Sequence, residues 1–200
     1  MAACRLCRDA PRGPRLPHEP RPVFRLSPTA RLLIASQAPG LRAHRSGIPF
    51  TDASGDRLRQ WMGVSSETFY DVSRIAIAPM GFCFPGYSPA MADLPPRPEC
   101  RAAWHDQLFA EMPQIACMLA IGRHAQTYHF ARLGRPLPKA EPLEAIVRRW
   151  RDFAGASPVV IALPHPSWRN SGWLKRNPWF ETEVLPALRQ AVAEAIGTHR

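Results

Sequence analysis

The sequence predicts an α/β protein: a three-layer α/β/α sandwich around a short, mainly parallel sheet of four strands. Three observations carry this. Apolar runs at 31–35 (RLLIA), 74–78 (RIAIA), 115–121 (IACMLAI) and 158–163 (PVVIAL) are continuous rather than alternating, as in strands buried on both faces. Helical patterns separate them, as parallel crossovers require. The chain has 200 residues, 46% of them apolar, enough for one core and little more.

Taken in order, residues 1–30 are proline-rich and lack apolar periodicity. They read as an extended arm packed on a domain of residues 31–200. The first strand leads through a Pro39-Gly40 turn and a long polar connection to a helix near 55–63, with Ser54 as its cap. The second strand follows. Further helices are expected near 99–112 and 122–132, on either side of the third strand, and near 141–154. The fourth strand precedes a last helix, near 180–196, interrupted early by Pro186. There is no internal repeat. The longest apolar run has seven residues, Ile115 to Ile121, against about twenty for a membrane span. MAACRLCRDA at the start shows no secretory signal. Nothing asks for an oligomer, so a monomer is expected.

Lys and Arg total 26 against 16 for Asp and Glu, a net charge of +10. Lys139 and Lys175 are the lysines, which leaves 24 arginines (26 − 2). Such an excess suits a polyanion, most simply nucleic acid. A GC-rich coding sequence would also raise Arg, Ala and Pro, so position matters more than number. The arginines gather in the arm (Arg5, Arg8, Arg12, Arg15, Arg21, Arg25), at Arg148, Arg149 and Arg151, and with Lys175 at Arg169 and Arg176.

The cysteines are Cys4, Cys7, Cys83, Cys100 and Cys117. An odd count without a secretory signal argues against a disulfide scaffold. Cys4 and Cys7 form a C-x-x-C pair. Between Cys83 and Cys100 lie sixteen residues (100 − 83 − 1), five of them proline, so that stretch is neither helix nor inner strand. Four thiolates on loops suit a 4Fe-4S cluster or a tetrahedral zinc ion. Cys117, inside an apolar strand, reads as a core thiol. A metal-dependent or thiol-redox protein built on the C-x-x-C is the weaker reading, because the pair lies on a proline-rich arm and not at a strand-to-helix turn.

In parallel α/β folds, ligands gather at loops beyond the carboxyl ends of strands. Two such loops stand out. Ser36-Gln37-Ala38-Pro39-Gly40 follows the first strand and runs on to Ser46-Gly47-Ile48-Pro49-Phe50-Thr51-Asp52-Ala53-Ser54-Gly55-Asp56. Pro164-His165-Pro166-Ser167-Trp168-Arg169-Asn170 follows the fourth. The prolines flanking His165 restrict its backbone and aim its side chain. Ser167 and Arg169 can contact phosphate.

SQAPG, SGIPFTDASGDRL and HPSWRN, in this order, resemble the motifs of the uracil-DNA glycosylase superfamily. The cysteine spacing is similar to its iron–sulfur class, usually called family 4. The resemblance implies a DNA repair enzyme, nucleoid-associated in the cytoplasm, that extrudes uracil or a related deaminated base and hydrolyses its N-glycosidic bond. A catalytically weak binder of uracil or abasic DNA is the alternative. By the same resemblance, Ser36, Gln37, Ala38, Pro39 and Gly40 form the water-activating loop. Phe50 stacks on the extruded base, and His165 stabilises the departing anion. Ser167, Trp168, Arg169, Asn170, Lys175 and Arg176 meet substrate or DNA. Cys4, Cys7, Cys83 and Cys100 hold a structural 4Fe-4S cluster, with no catalytic metal.

Two departures from the family pattern matter. The family's base-reading Asn is missing from 77–83 (IAPMGFC), and 36–40 holds no carboxylate. Three readings stay open for the missing acid. Asp52 or Asp56 supplies the charge, with Asp52 first because it lies beside Phe50. Or His165 and the substrate's phosphates suffice, with Gln37 orienting water. Or the protein binds its lesion with little turnover.

Overall fold

The computed structural model describes residues 1–153 and 155–197. Four strands form its centre: β1 (Leu32–Ala35), β2 (Ile75–Ile77), β3 (Cys117–Ile121) and β4 (Val159–Leu163). They pair in parallel throughout, in the order β2-β1-β3-β4. Each lies inside the apolar run that predicted it. Successive side chains serve two cores, which is why the runs are continuous. Leu32, Ile34, Ile75, Ile77, Leu119, Ile121, Ile161 and Leu163 face one layer. Leu33, Ala35, Ala76, Ala78, Met118, Ala120, Val160 and Ala162 face the other. Alanines on the second face leave room for the rings of Phe82, Phe109 and Phe130.

The helices, in chain order, are α1 (Leu6–Asp9), α2 (Leu41–Ser46), α3 (Ala53–Met62), α4 (Ser66–Tyr70), α5 (Pro98–Cys100), α6 (Asp106–Ala110), α7 (Arg123–Arg132), α8 (Leu143–Arg148), α9 (Ser171–Arg176) and α10 (Leu185–Ile196). A wide π-type turn, Arg101–His105, joins α5 to α6, and another, Phe180–Val184, precedes α10. Leu58 and Trp61 of α3, with Leu188 and Val192 of α10, cover the first face. Phe109 of α6 with Ala125 and Phe130 of α7 cover the second.

Two sequence expectations need correction, and one is met. Asp52, not Ser54, caps α3: its carboxylate accepts from Gly55 N, while Ser54 is already helical. The helix over 180–196 does change type at Pro186, as expected: a π-type turn over Phe180–Val184 gives way to α10, of which Pro186 is the second residue. The helix near 141–154 is α-helical only to Arg148 and tightens to a 3-10 turn over Arg149–Phe153, with residue 154 outside the described residues.

The arm buries Cys7, Leu16 and Val23. Arg25 exchanges backbone hydrogen bonds with Ile77 at 2.9 and 2.6 Å, which covers the free edge of β2. Glu99 Oε1 accepts from Arg12 N (2.8 Å) and Arg97 Nη2 (2.9 Å), and Arg97 Nη1 donates to Pro14 O (2.6 Å). This buried ion pair fastens the arm to the start of α5.

Candidate active site

The strand order reverses between β1 and β3, so the loops after these strands diverge and open a crevice. A cleft of about 640 Å³ lies there. Ser36, Gln37, Ala38, Pro39 and Gly40 line it from the loop after β1, and Phe50 and Asp52 from its continuation. His165, Ser167, Trp168, Arg169 and Asn170 line it from the loop after β4. The two loops singled out in the sequence therefore form one site.

The β1–β2 ladder runs past the strand ends. Met80 N donates to Ser36 O (2.8 Å) and Gly81 N to Gln37 O (2.9 Å), which fixes the loop's first residues. The Gln37 side chain lies across Gly122, where a Cβ would stand 2.9 Å from Gln37 Cδ. Gly122 also has φ +78°, so a glycine is needed there twice over.

Phe50 has φ +57°, a backbone conformation that costs a non-glycine residue energy. Its carbonyl is gripped to hold it there. Tyr70 Oη donates to Phe50 O (3.1 Å) and lies 3.0 Å from Pro49 O. Arg59 Nη1 donates to Phe50 O at 3.3 Å. Gly55 makes the approach possible, since a Cβ there would sit 1.9 Å from Phe50 O. The ring rests edge-on against buried Phe69, with centroids 6.0 Å apart. Phe50 is thus a braced shelf at the cleft wall.

His165 is held by its own loop. Ser167 N donates to His165 Nδ1 (3.2 Å), which puts the ring proton on Nε2. Asn170 Nδ2 donates to His165 O at 2.7 Å. Arg57 Nη1, from α3, donates to Ser167 O at 3.1 Å. Burial lowers the His165 pKa, against the pull of Asp52 and Asp93, and Arg169 adds to the lowering. The ring is a neutral N–H donor beside the shelf.

A family model of the uracil DNA glycosylase superfamily matches residues 24–189. The chain belongs to the uracil DNA glycosylase superfamily. The match contains β1 to β4 and both loops of the cleft, and it leaves most of the arm outside.

For a glycosylase-superfamily cleft, the carboxylates are the telling groups. Asp56 pairs with Arg59 at 2.6 Å and does not line the cleft, so it is not the expected substitute for the missing acid. Asp52 does line it, but one oxygen is engaged in capping α3. Asp93, on the loop between Cys83 and Cys100, also lines the cleft, with Pro85, Leu94, Pro95 and Pro96. His124, in the first turn of α7, also faces in. Nothing in the sequence singles out Asp93, His124, Arg57, Arg59 or Tyr70. Asp93, His124 and Tyr70 lie outside the quoted motifs, Arg57 lies inside one and Arg59 just past it, and only the packing shows what each touches.

The cations divide. Trp168 is 77% exposed at the rim beside Arg169. Lys175 and Arg176 are exposed on α9, outside the cleft lining. Arg148, Arg149 and Arg151, the second cluster read from the sequence, are paired with Glu144, Glu141, Asp152 and Glu183, which offsets their charge.

Cys7 and Cys83 share a small buried cluster with Leu16. Cys4 Sγ accepts from Trp104 Nε1 (3.3 Å), and Cys100 Sγ from Phe82 N (3.5 Å). Burial, then neighbouring Cys7 and Cys100, raises the Cys83 thiol pKa; burial first also pushes Cys100 up to about 11. The four sulfurs are thus close enough to feel one another. Among the described residues, no three of His, Cys, Asp and Glu converge as a single-ion site. Cys117 is buried in the main core, its pKa raised by burial to about 12. Among the described residues no helix is long and apolar enough to cross a membrane.

Proposed function

We propose that the chain is a DNA glycosylase that removes uracil, or a related deaminated base, from DNA and leaves an abasic site. One observation carries the reading: a braced aromatic shelf and a tautomer-fixed neutral histidine face the same cleft. The extruded base stacks on Phe50, a contact available to any base. As the C1′–N1 bond breaks, its electron pair goes to the base. His165 Nε2–H donates to the oxygen on which that charge collects, and does most for the transition state. Gln37 orients water. Trp168 at the rim fills the gap the base leaves, and Arg169, Lys175 and Arg176 meet phosphates. Incubating the protein with a uracil-containing duplex, then alkali, tests this. Strand breaks at the uracil support the glycosylase. A stable shifted complex without breaks points instead to a uracil- or abasic-DNA binder.

We further propose that Cys4, Cys7, Cys83 and Cys100 hold a 4Fe-4S cluster, as in the family 4-like class. The donor set fits: three buried thiols and the half-buried Cys4 are near enough to act on one another's charge, with N–H donors directed at two of them. A cubane takes one thiolate per iron, so its ligands stand apart rather than meet at a point. When bound, the cluster supplies a crosslink between the arm and the Cys83–Cys100 loop. Freshly purified protein should absorb broadly in the visible, and Cys83→Ser should abolish this and lower the melting temperature. A colourless wild type without iron removes the proposal.

A further inference from the structure

A base that leaves with the bonding electrons leaves a sugar short of them. An anion on the sugar side steadies that charge and takes a proton from the incoming water. The loop 36–40 cannot do this, because Gln37 is a neutral amide. Three aspartates are near enough to consider. Asp56 is held by Arg59 away from the cleft. Asp52 is engaged in capping α3, on the side of the cleft where Phe50 takes the base. Asp93 lines the same cleft from a separate loop, is exposed, and its side chain is in no hydrogen bond or ion pair among the described residues.

The Asp93 backbone is fixed although its carboxylate is free. Tyr87 and Asp93 form an isolated antiparallel bridge. Ser88 N donates to Ala92 O (2.8 Å), and Leu94 N to Gly86 O (2.9 Å). Prolines 95 and 96 stiffen the chain beyond. Such a loop presents one side chain without needing a helix or strand beneath it. The field of Asp93 reaches His165 across the cleft.

Resting on the glycosylase reading above, we propose that Asp93 is the catalytic carboxylate of this site. It faces the sugar of the extruded nucleotide, steadies positive charge at C1′, and accepts the proton of the attacking water. The balance is simple. The C1′–N1 bond breaks with its electron pair on the base, and water oxygen bonds to C1′. The water's proton passes to Asp93, and from there to the departed base anion or to solvent. The acid absent from the first loop is thus supplied from a separate loop.

The test is single-turnover cleavage of a uracil-containing duplex by wild type, Asp93→Asn and Asp52→Asn. Affinity is measured in parallel on a duplex carrying 2′-fluorinated deoxyuridine, which resists cleavage. Asp93→Asn should slow cleavage about 100-fold and leave affinity within about twofold; Asp52→Asn should slow it less. The other charged or titratable groups lining the cleft are Asp52, His124, His165 and Arg169. A wild-type rate in Asp93→Asn, or a parallel loss of affinity, overturns the proposal and leaves the glycosylase reading intact. A wild type that cleaves neither uracil nor a deaminated purine overturns both.

Discussion

The two walls of the cleft are built on opposite plans. One wall grows directly from the sheet. Its loops leave β1 and β4, continue the ladder to Ser36 and Gln37, and are locked by Tyr70, Arg57 and Asn170. The other wall is a proline-rich loop. It hangs between Cys83 and Cys100 and is steadied by the arm through Arg12, Pro14, Arg97 and Glu99. The difference sorts the chemistry. On the proposed reading, the groups that work only at fixed angles, the Phe50 ring and the His165 N–H, sit on the sheet-built wall. Charge acts over longer distances and tolerates an ångström of play, so an acid can be carried by the tied loop.

The sharpest way to break the first wall is to remove its directional donor. His165→Ala should lower single-turnover cleavage of a uracil duplex by roughly 10²- to 10³-fold, with affinity for an uncleavable duplex retained. The loss should exceed that of Gln37→Ala, which removes only a neutral water contact. Equal losses in the two variants would move the leading role to the first loop. Next comes the shelf. Gly55→Ala places a methyl 1.9 Å from Phe50 O, so the carbonyl and its ring must move. Cleavage should fall about tenfold and stability by about 1–3 kcal/mol. Denaturant unfolding and the same kinetic assay check both. Tyr70→Phe, which removes a hydrogen bond without a clash, should cost about 1 kcal/mol.

Beneath the second wall lies a test by acid. His105 and His129 are wholly buried among Phe82, Phe109 and Tyr128. Burial first pushes their pKa values down to about 4 and about 3. Both are neutral when folded and free to protonate when unfolded, so the unfolded state binds more protons between their folded and unfolded pKa values. Stability should therefore fall as pH drops from about 6.5 towards 4, by up to about 1.4 kcal/mol per pH unit for each histidine. Melting temperatures across that range read the slope, and His129→Phe should reduce it. An unchanged slope would place the acid sensitivity elsewhere.

The same contrast explains what could be read from the chain. Strands buried on both faces must be continuous apolar runs, so β1 to β4 announced themselves, and with them the ends from which functional loops spring. The braces did not. Tyr70 and Arg59 reach Phe50 from positions outside the quoted motifs, and their value lies in meeting one carbonyl. Asp52 was legible as an acid beside Phe50, but its engagement as the cap of α3 was not. Short helices such as α2, α4 and α9 show too few turns for a period to emerge. Asp93 was hidden for another reason: a proline-rich loop has no periodicity, so no residue in it can be assigned a facing direction.

The smallest expected effects separate the basic residues and turn on pairing rather than charge. A Lys or Arg that neutralises a phosphate releases counterions, and each contact adds about 0.9 to the slope of log K against log salt. Arg169 at the rim, and Lys175 and Arg176 on the exposed end of α9, sit next to the histidine loop. Changing each to Ala should cut that slope by about 1. Arg148 and Arg151 share Glu183, and Arg148 also lies over Trp179 at 3.8 Å. To meet a phosphate, either would first have to leave a carboxylate, and that exchange returns most of what the contact gives. Arg151→Ala should therefore leave the slope unchanged within about 0.3 units, a small fraction of one phosphate contact. Binding isotherms at four salt concentrations resolve such a difference. A full unit lost in Arg151→Ala would put DNA on the α8 side of the molecule and away from the cleft.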